Sequence, residues 1–429
     1  MVNLSLSTKN HEIDISNKLD NTSYPKGWGK RKLSDTMNFL GGNAFKSKDS
    51  TDTGVRWLKI ANVGFGRVQW ATLDYLPKNF EVDYAKYLLG EDDIVMALTR
   101  PILGGKLKIA KVTSEDQPSL LNQRVAKITA NHGYCLEYLY FLLSKRSTVS
   151  AIENAIAGTD PPNLGFNDLK KVQVMIPNDI VEQEKIASII STWEKAVSLK
   201  EKLIEQKQEQ YRGLMQILLT GKFRLPGFKE KWEKIKLGEI GSFLKGKGIS
   251  KSETEEVGIN SIRYGEIYTV HHFYIKKFYS FISSEVAKNS QEIINNDILF
   301  AGSGETAEEI GKAVAYIDNK PAYAGGDIII LRPTLEVDSL FLSYLLNVGE
   351  IAKERAKLGQ GNSVVHIYPK SLSSLNVTLP SYKEQCEISK ILKTADNEIE
   401  LLDQELEALK KQKIGLMQLL LTGKVRVKV

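Results

Sequence analysis

Two stretches of this chain carry the same apolar rhythm. In the first, steps of four and three residues pick out Ile186, Ile190, Trp193, Val197, Lys200, Ile204, Lys207, Tyr211, Leu214 and Leu218, and only the two lysines break the stripe. In the second, the same steps pick out Ile388, Leu392, Ala395, Ile399, Leu402, Leu406, Leu409, Lys413, Leu416 and Leu420, broken only at Lys413. A period of 3.5 residues is the seam of a coiled coil, so the pattern predicts two long helices. Each stretch runs into Thr-Gly, at Gly221 and Gly423, where a glycine suits the left-handed residue that ends a helix. Residues 186–218 would span about 50 Å at 1.5 Å per residue. So narrow a seam calls for a helical partner, and the other helix of the same chain, running antiparallel, is the economical one. The alternative is that each stripe packs on its own globular body.

The rhythm recurs because the chain is one unit written twice. GLMQILLTGKFR at 213–224 matches GLMQLLLTGKVR at 415–426. Pro177 with Glu182-Gln183 corresponds to Pro380 with Glu384-Gln385, and Gly158 and Leu169 correspond to Gly361 and Leu372. Further back, Asp93-Ile94 matches Asp297-Ile298, Phe39 matches Phe243 and Trp28 matches Trp232. The offset drifts only from 204 to 202, as a few loop deletions would leave it. A period this long marks a duplicated domain rather than a solenoid. Similarity is strong in the helical tails and faint in the bodies.

The implied division is a polar extension at 1–24, a body at 25–175, a helix and linker at 176–225, a second body at 226–378 and a second helix at 379–429. Short β-rich runs at Val55–Val63, Ile94–Ala97, Leu107–Val112, Ile262–Ile267, Ile298–Ala301 and Ile328–Leu331 predict strands. One short helix per body is expected, near Leu136–Leu143 and Leu340–Leu346. The fold class is α/β (α+β), two pseudo-symmetric domains separated by two long antiparallel coiled-coil helices. Lys222–Gly227 reads as the linker, with Pro226 marking the break.

Composition narrows the function. Of 429 residues, 42% are hydrophobic and 26% charged, which fits a globular protein. No apolar run approaches the ~18–20 residues of a membrane span, and Met1 to Asp20 has no apolar segment of the kind a secretory signal needs. Cys135 and Cys386 lie far apart outside any CxxC pair, so a cytoplasmic location is expected. The net charge of +6 is compatible with a polyanionic partner.

Three strings resemble catalytic motifs. Asp160-Pro161-Pro162-Asn163 approaches the motif of amino-methyltransferases, but Asn163 stands where an aromatic ring stacks on a flipped base. Phe300-Ala301-Gly302-Ser303-Gly304 resembles a glycine-rich cofactor turn. Gly241 to Gly248 resembles a phosphate loop, but Gly248 replaces the Ser/Thr that holds magnesium. The duplication rejects all three: their counterparts are NSVV at 362–365, MALTR at 96–100 and MNFLGGNA at 37–44. His11, His132, His271, His272 and His366 show no metal-binding spacing, and no GxSxG elbow is present. No metal and no catalytic residue is expected.

A nucleic-acid-binding repertoire remains. Lys59, Arg67, Thr99, Arg100, Lys106 and Lys108 lie in or beside the turns of the first body. Lys245, Lys247, Arg263, Lys276, Lys277 and Lys312 take similar places in the second, with Ser303, Glu305 and Thr306 on a glycine-rich loop. Such side chains grip phosphates, and arginine pairs two-pronged with guanine. For any one lysine the plain alternative is a solvated surface charge.

Two variable bodies alternating with two near-identical helices, each closing on LLTGK-hydrophobic-Arg after a Pro…Glu-Gln, resemble the specificity subunit of type I restriction–modification systems. EDDIVMALTRPILGGKLKIAKV and NNDILFAGSGETAEEIGKAV resemble that family's recognition loop, and the likeness covers the chain from Tyr24 onward. The resemblance implies two target-recognition domains, each reading half of a bipartite, asymmetric site on double-stranded DNA. It implies helices that space the domains and dock two modification (methyltransferase) subunits. S-adenosylmethionine, ATP and magnesium would sit on partner subunits, including a restriction subunit that translocates and cuts. A spacer of about 50 Å exceeds one DNA turn of roughly 34 Å, so unread base pairs would separate the half-sites. The alternative is a DNA methyltransferase or nuclease with its own fused recognition domains.

Overall fold

The computed structural model describes residues 13–14, 25–156, 162–304, 306, 309–361 and 365–429. The chain forms two compact units, Met1–Lys200 with Glu405–Val429 and Glu201–Gln404. Each unit thus contains one body, the near part of one long helix and the far part of the other.

In the first unit a five-stranded sheet runs in the order Met37–Gly41, Val125–Ala130, Ile94–Ala97, Ile109–Lys111, Phe65–Arg67, antiparallel except for its last pair. Ile94–Ala97 is buried at all four positions, as a central strand covered on both faces requires. Val55–Leu58 pairs with Ser119–Leu121 and Tyr75–Leu76 in a second sheet. The second unit repeats the plan. Its sheets run Gly241–Lys245, Ile328–Pro333, Ile298–Ala301, Ala313–Ala315 and Ser280–Ile282, Ile259–Ile262, Ala322–Ala324, Gln291–Ile293. Register is preserved as well. Ile128 stands between Phe39 and Ile94, and Leu331 stands between Phe243 and Ile298, their counterparts in the duplication.

Local structure departs from the sequence reading in three places. Ile262–Ile267 is not one strand: Ile259–Ile262 ends there and a helix, Tyr264–Thr269, begins, with Arg263 at its N-cap. Val55–Val63 likewise breaks after Leu58 into the 3-10 turn Ile60–Asn62. Each body has more than one short helix. Leu136–Ser144 is followed by Arg146–Ala155, and Ser339–Asn347 by Gly349–Lys357. Those second helices bury few residues apiece, too few to set a period in the sequence.

The long helices are Ile180–Leu218 and Tyr382–Leu420, 39 residues each. Neither reading of the stripe holds throughout, because each helix begins on its own body and ends on that of the other repeat. Ile186, Ile190 and Leu420 enter the core of the first unit, and Tyr211, Leu218, Ile388 and Leu392 enter that of the second, so the stripe's ends pack on globular bodies. Ile204 and Leu406 are also buried, and Trp193, Val197, Leu214, Ile399, Leu402, Leu409 and Leu416 are half-buried. The three lysines that interrupt the stripe are its cross-helix ion pairs. In the first unit Lys413 meets Glu194 and Lys200 meets Glu405, both at 2.7 Å; in the second Lys207 meets Glu398 at 2.6 Å. As position rises on one helix it falls on the other, so the segments run antiparallel within each unit.

The tail motif closes each unit with a part from the other repeat. In the first unit Arg426 donates to both carboxylate oxygens of Glu182, from Nε at 2.6 Å and Nη2 at 2.8 Å, and Trp28 Nε1 donates to the same carboxylate at 3.2 Å. In the second, Arg224 donates to both oxygens of Glu384 at 2.8 and 2.7 Å, with its guanidinium 5.8 Å from the centre of the Trp232 ring. The stretch read as a plain linker therefore carries a structural residue. The neighbouring glutamines cap the corner. Gln183 Nε2 donates to the Pro177 carbonyl and its Oε1 accepts from the Cys135 N–H; Gln385 does the same with Pro380 and Asp338.

Candidate nucleic-acid interface

The recognition candidates gather where the central strand of each body ends. In the first unit Ile94–Ala97 is followed by Thr99 and Arg100. Thr99 pairs in antiparallel fashion with Asn163, and its hydroxyl donates to Asn163 Oδ1 at 2.6 Å. Arg124 reaches the same place, its Nη1 lying 3.5 Å from Thr99 Oγ1 and 3.4 Å from Asn163 Oδ1. Arg100 is exposed, and its backbone holds φ +46°, a left-handed conformation that costs an L-residue roughly 1 kcal/mol. A backbone bond from its N–H to the Pro162 carbonyl, 2.8 Å, helps to keep it there.

Beyond the corner the chain turns through a hairpin, Ile102–Leu103 with Lys106–Leu107. Gly104 and Gly105 form its tip at φ +58° and +71°, as a two-residue turn of this hand demands, and Lys106 is exposed beside them. Lys108 turns inward: its ammonium donates to the Ile60 carbonyl at 2.7 Å, and burial lowers its pKa. Lys59 pairs with Asp74 at 2.9 Å and lies 3.8 Å from the centre of the Trp57 ring. Arg67 is exposed on the edge strand.

The second unit builds the corresponding corner with other groups. Ile298–Ala301 is followed by Ser303, which pairs with His366 in antiparallel fashion; Ser303 Oγ lies 3.0 Å from His366 Nδ1. Ser303 is buried, its carbonyl accepting from Tyr268 Oη at 2.6 Å, while Thr306 is exposed and bonds Glu309. Glu305 lies outside the described residues. Lys312, the counterpart of Lys108, likewise turns inward onto a backbone carbonyl, that of His271 at 2.8 Å, and burial lowers its pKa. Arg263, the counterpart of Lys59, faces Glu266 at 3.5 Å.

Four other candidates stand elsewhere. Lys276 reaches the second long helix, 2.7 Å from both Asp396 and Glu400. Burial opposes its charge, but the two carboxylates outweigh burial and hold its pKa above the ordinary lysine value. Lys277 lies 4.6 Å from the centre of the Tyr279 ring. Lys245 and Lys247 are exposed around the end of Gly241–Lys245. Arg124, Asn163 and His366 escaped the sequence reading as site residues, since each lies far along the chain from the hydroxyl it joins. Alignment of the two copies set Asn163 against Val365; the backbone pairings of Thr99 with Asn163 and of Ser303 with His366 place 163 opposite 366.

Among the described residues no group of three or more His, Cys, Asp or Glu side chains is placed to hold a metal ion. No helix among them is long and apolar enough to cross a membrane.

What the geometry defines is a duplicated α/β protein with two polar corners of different chemistry on the same framework. Residues 25–207 and 229–411 each match the type I restriction modification DNA specificity domain. The chain belongs to that family. It is 33% identical over 202 residues to the type I restriction enzyme MjaVIII specificity subunit of Methanocaldococcus jannaschii, 47% of this chain and 47% of that protein, so the matched stretch spans about half of that relative's length. It is 25% identical over 426 residues to the putative MjaX specificity subunit of the same organism, covering 94% of this chain and 95% of the relative. It shares the fold of the type I restriction–modification S subunit from M. genitalium, with a TM-score of 0.61 and 18% identity over 94% of this chain and 98% of the other.

Proposed function

We propose that this chain is the sequence-specific DNA-recognition subunit of a type I restriction–modification complex. Each specificity domain reads one half of a bipartite, asymmetric site on double-stranded DNA. The observation that carries the reading is the pairing of sameness with difference. Register, inward lysine and closing ion pair are repeated in both units. The corners hold Arg100 and Arg124 in one unit and Gly304 and Asp327 at the corresponding places in the other. Equal frameworks with unlike reading groups suit unlike half-sites.

The chain supplies address rather than chemistry. Modification subunits that bind S-adenosylmethionine carry methyl transfer, and a restriction subunit using ATP and magnesium carries translocation and cleavage. The long helices are their docking surface, and the complex works in the cytoplasm. Two measurements test this. The isolated chain, given S-adenosylmethionine and DNA, should transfer no methyl groups; appreciable transfer would favour a fused methyltransferase. Replacing 25–175 with the corresponding body of another such subunit should change one half-site of the methylated sequence and leave the other intact.

A further inference from the structure

The strand-end corners carry a finer assignment, which rests on the DNA-specificity reading above. Thr99 and Ser303 occupy the same position after the same buried central strand. Each is tied to a side chain from the returning segment, Asn163 in one case and His366 in the other. Behind each corner an inward lysine fastens the loop to backbone carbonyls. Held from both sides, the corner presents its side chains from a fixed backbone, as discrimination between bases requires.

The head groups differ in kind. In the first unit Arg124 touches Thr99 and Asn163 through a single nitrogen, Nη1, while the residue remains exposed. A guanidinium steadied at one nitrogen keeps other donors to offer outward, and two parallel donors match the O6 and N7 acceptors of guanine. In the second unit Asp327 stands one residue before Ile328, which pairs with Ala301 as Val125 pairs with Ala97, so it is the counterpart of Arg124 and is also exposed; the counterpart of Arg100 is Gly304. Among the described residues that corner holds no arginine with which to read guanine; a carboxylate there can accept from the amino group of cytosine, and the imidazole of His366 can add a polar edge.

We propose that these corners are the base-reading sites of the two domains. Arg124, steadied by Thr99 and Asn163, reads a guanine in the first half-site. Asp327 and His366 take the corresponding place toward the second. Arg124 is a specificity-determining residue, whereas Thr99 and Asn163 position it.

The test uses the full chain assembled with its modification subunits. The wild-type methylation motif is first mapped on genomic DNA, and binding is then measured on duplexes carrying each base at each motif position. A wild-type complex with no defined motif would overturn the specificity reading itself. Given a motif, Arg124→Ala should lower discrimination at one guanine of one half-site roughly 5- to 150-fold while leaving every position of the other half unchanged. Asn163→Ala should weaken the same position less, and His366→Ala should alter only the opposite half. The unaffected half-site reports folding within the same molecule. Unchanged discrimination at every position in Arg124→Ala, or an equal loss in both halves, would overturn the assignment.

Discussion

Arg426→Ala tests whether the first unit is closed by the other repeat's tail. Glu182 is only 2% exposed, and with Arg426 removed its carboxylate keeps the 3.2 Å bond from Trp28 but loses both guanidinium bonds. Stripping one partner from a buried ion pair costs about 3–5 kcal/mol, chiefly because the other charge is stranded. The arginine side chain is 31% exposed, so water can reach part of the vacated place, and about 2–3 kcal/mol is the reasoned loss. Hydrogen exchange of backbone amides reads this locally. Protection in Met1–Lys200 and Glu405–Val429 should fall roughly 30- to 150-fold, at 1.4 kcal/mol per decade, while the second unit serves as control. Adding Glu182→Gln to Arg426→Ala replaces the stranded charge with an amide and should recover part of the protection. If the two substitutions were instead additive within about 0.5 kcal/mol, or if protection stayed as in the wild type, the pair would not be what closes the unit.

The same geometry predicts three further outcomes. Burial, reinforced by nearby Lys312, pushes the His271 pKa down to about 4 from 6.5. The unfolded chain therefore binds the extra proton first, so the stability of the second unit is complete above about pH 6.5 and falls as pH drops toward 4. His271→Gln should flatten that part of the stability–pH curve, and an unchanged slope would contradict the assignment. Lys145 donates to the Leu421 carbonyl at 2.9 Å at the end of the second long helix. Its counterpart Val348 lines a cavity of about 630 Å³ beside Leu219 and Trp232. Val348→Lys should add about 0.5–1 kcal/mol to the second unit, and Lys145→Met should weaken the first, both checked by amide protection. Finally, a chain ending after Arg224 lacks the tail that closes the first unit but carries an equivalent one, so it should pair with a second copy. Sedimentation showing only a monomer would count against the exchange.

Much of the architecture was legible because it is periodic or repeated. The helix seam showed in Ile186, Ile190, Ile388 and Leu392, and even its interruptions had meaning, since Lys200, Lys207 and Lys413 proved to be the cross-helix ion pairs. The breaks after Leu58 and Ile262 were hidden, because a short apolar run reads alike as strand or helix. The corner residues were only half legible. Charge and loop position pointed to Arg100 and Lys106, but also to Lys108 and Lys312, whose ammonium groups bind backbone carbonyls. Charge alone does not say which way a lysine turns. Asn163 and His366 gain their place from pairings across 64 and 63 residues, which no local pattern carries.

The uneven similarity of the two copies has a physical cause in these contacts. Arg224 must fit Glu384 and Arg426 must fit Glu182, so each tail is held to a partner in the other repeat. A change in one LLTGK-x-Arg tail or one Glu-Gln corner therefore acts on the other repeat's domain, and the two copies of each motif are constrained together. Thr99 answers to Asn163, and Ser303 to His366, each within its own repeat. Substitutions there are absorbed locally and leave the other unit's contacts alone. A scaffold that exchanges its closing parts while keeping its corner groups at home lets the corner of one domain change without disturbing the fit of the other. That separation is the physical condition under which the half-sites of the proposed reader would vary independently.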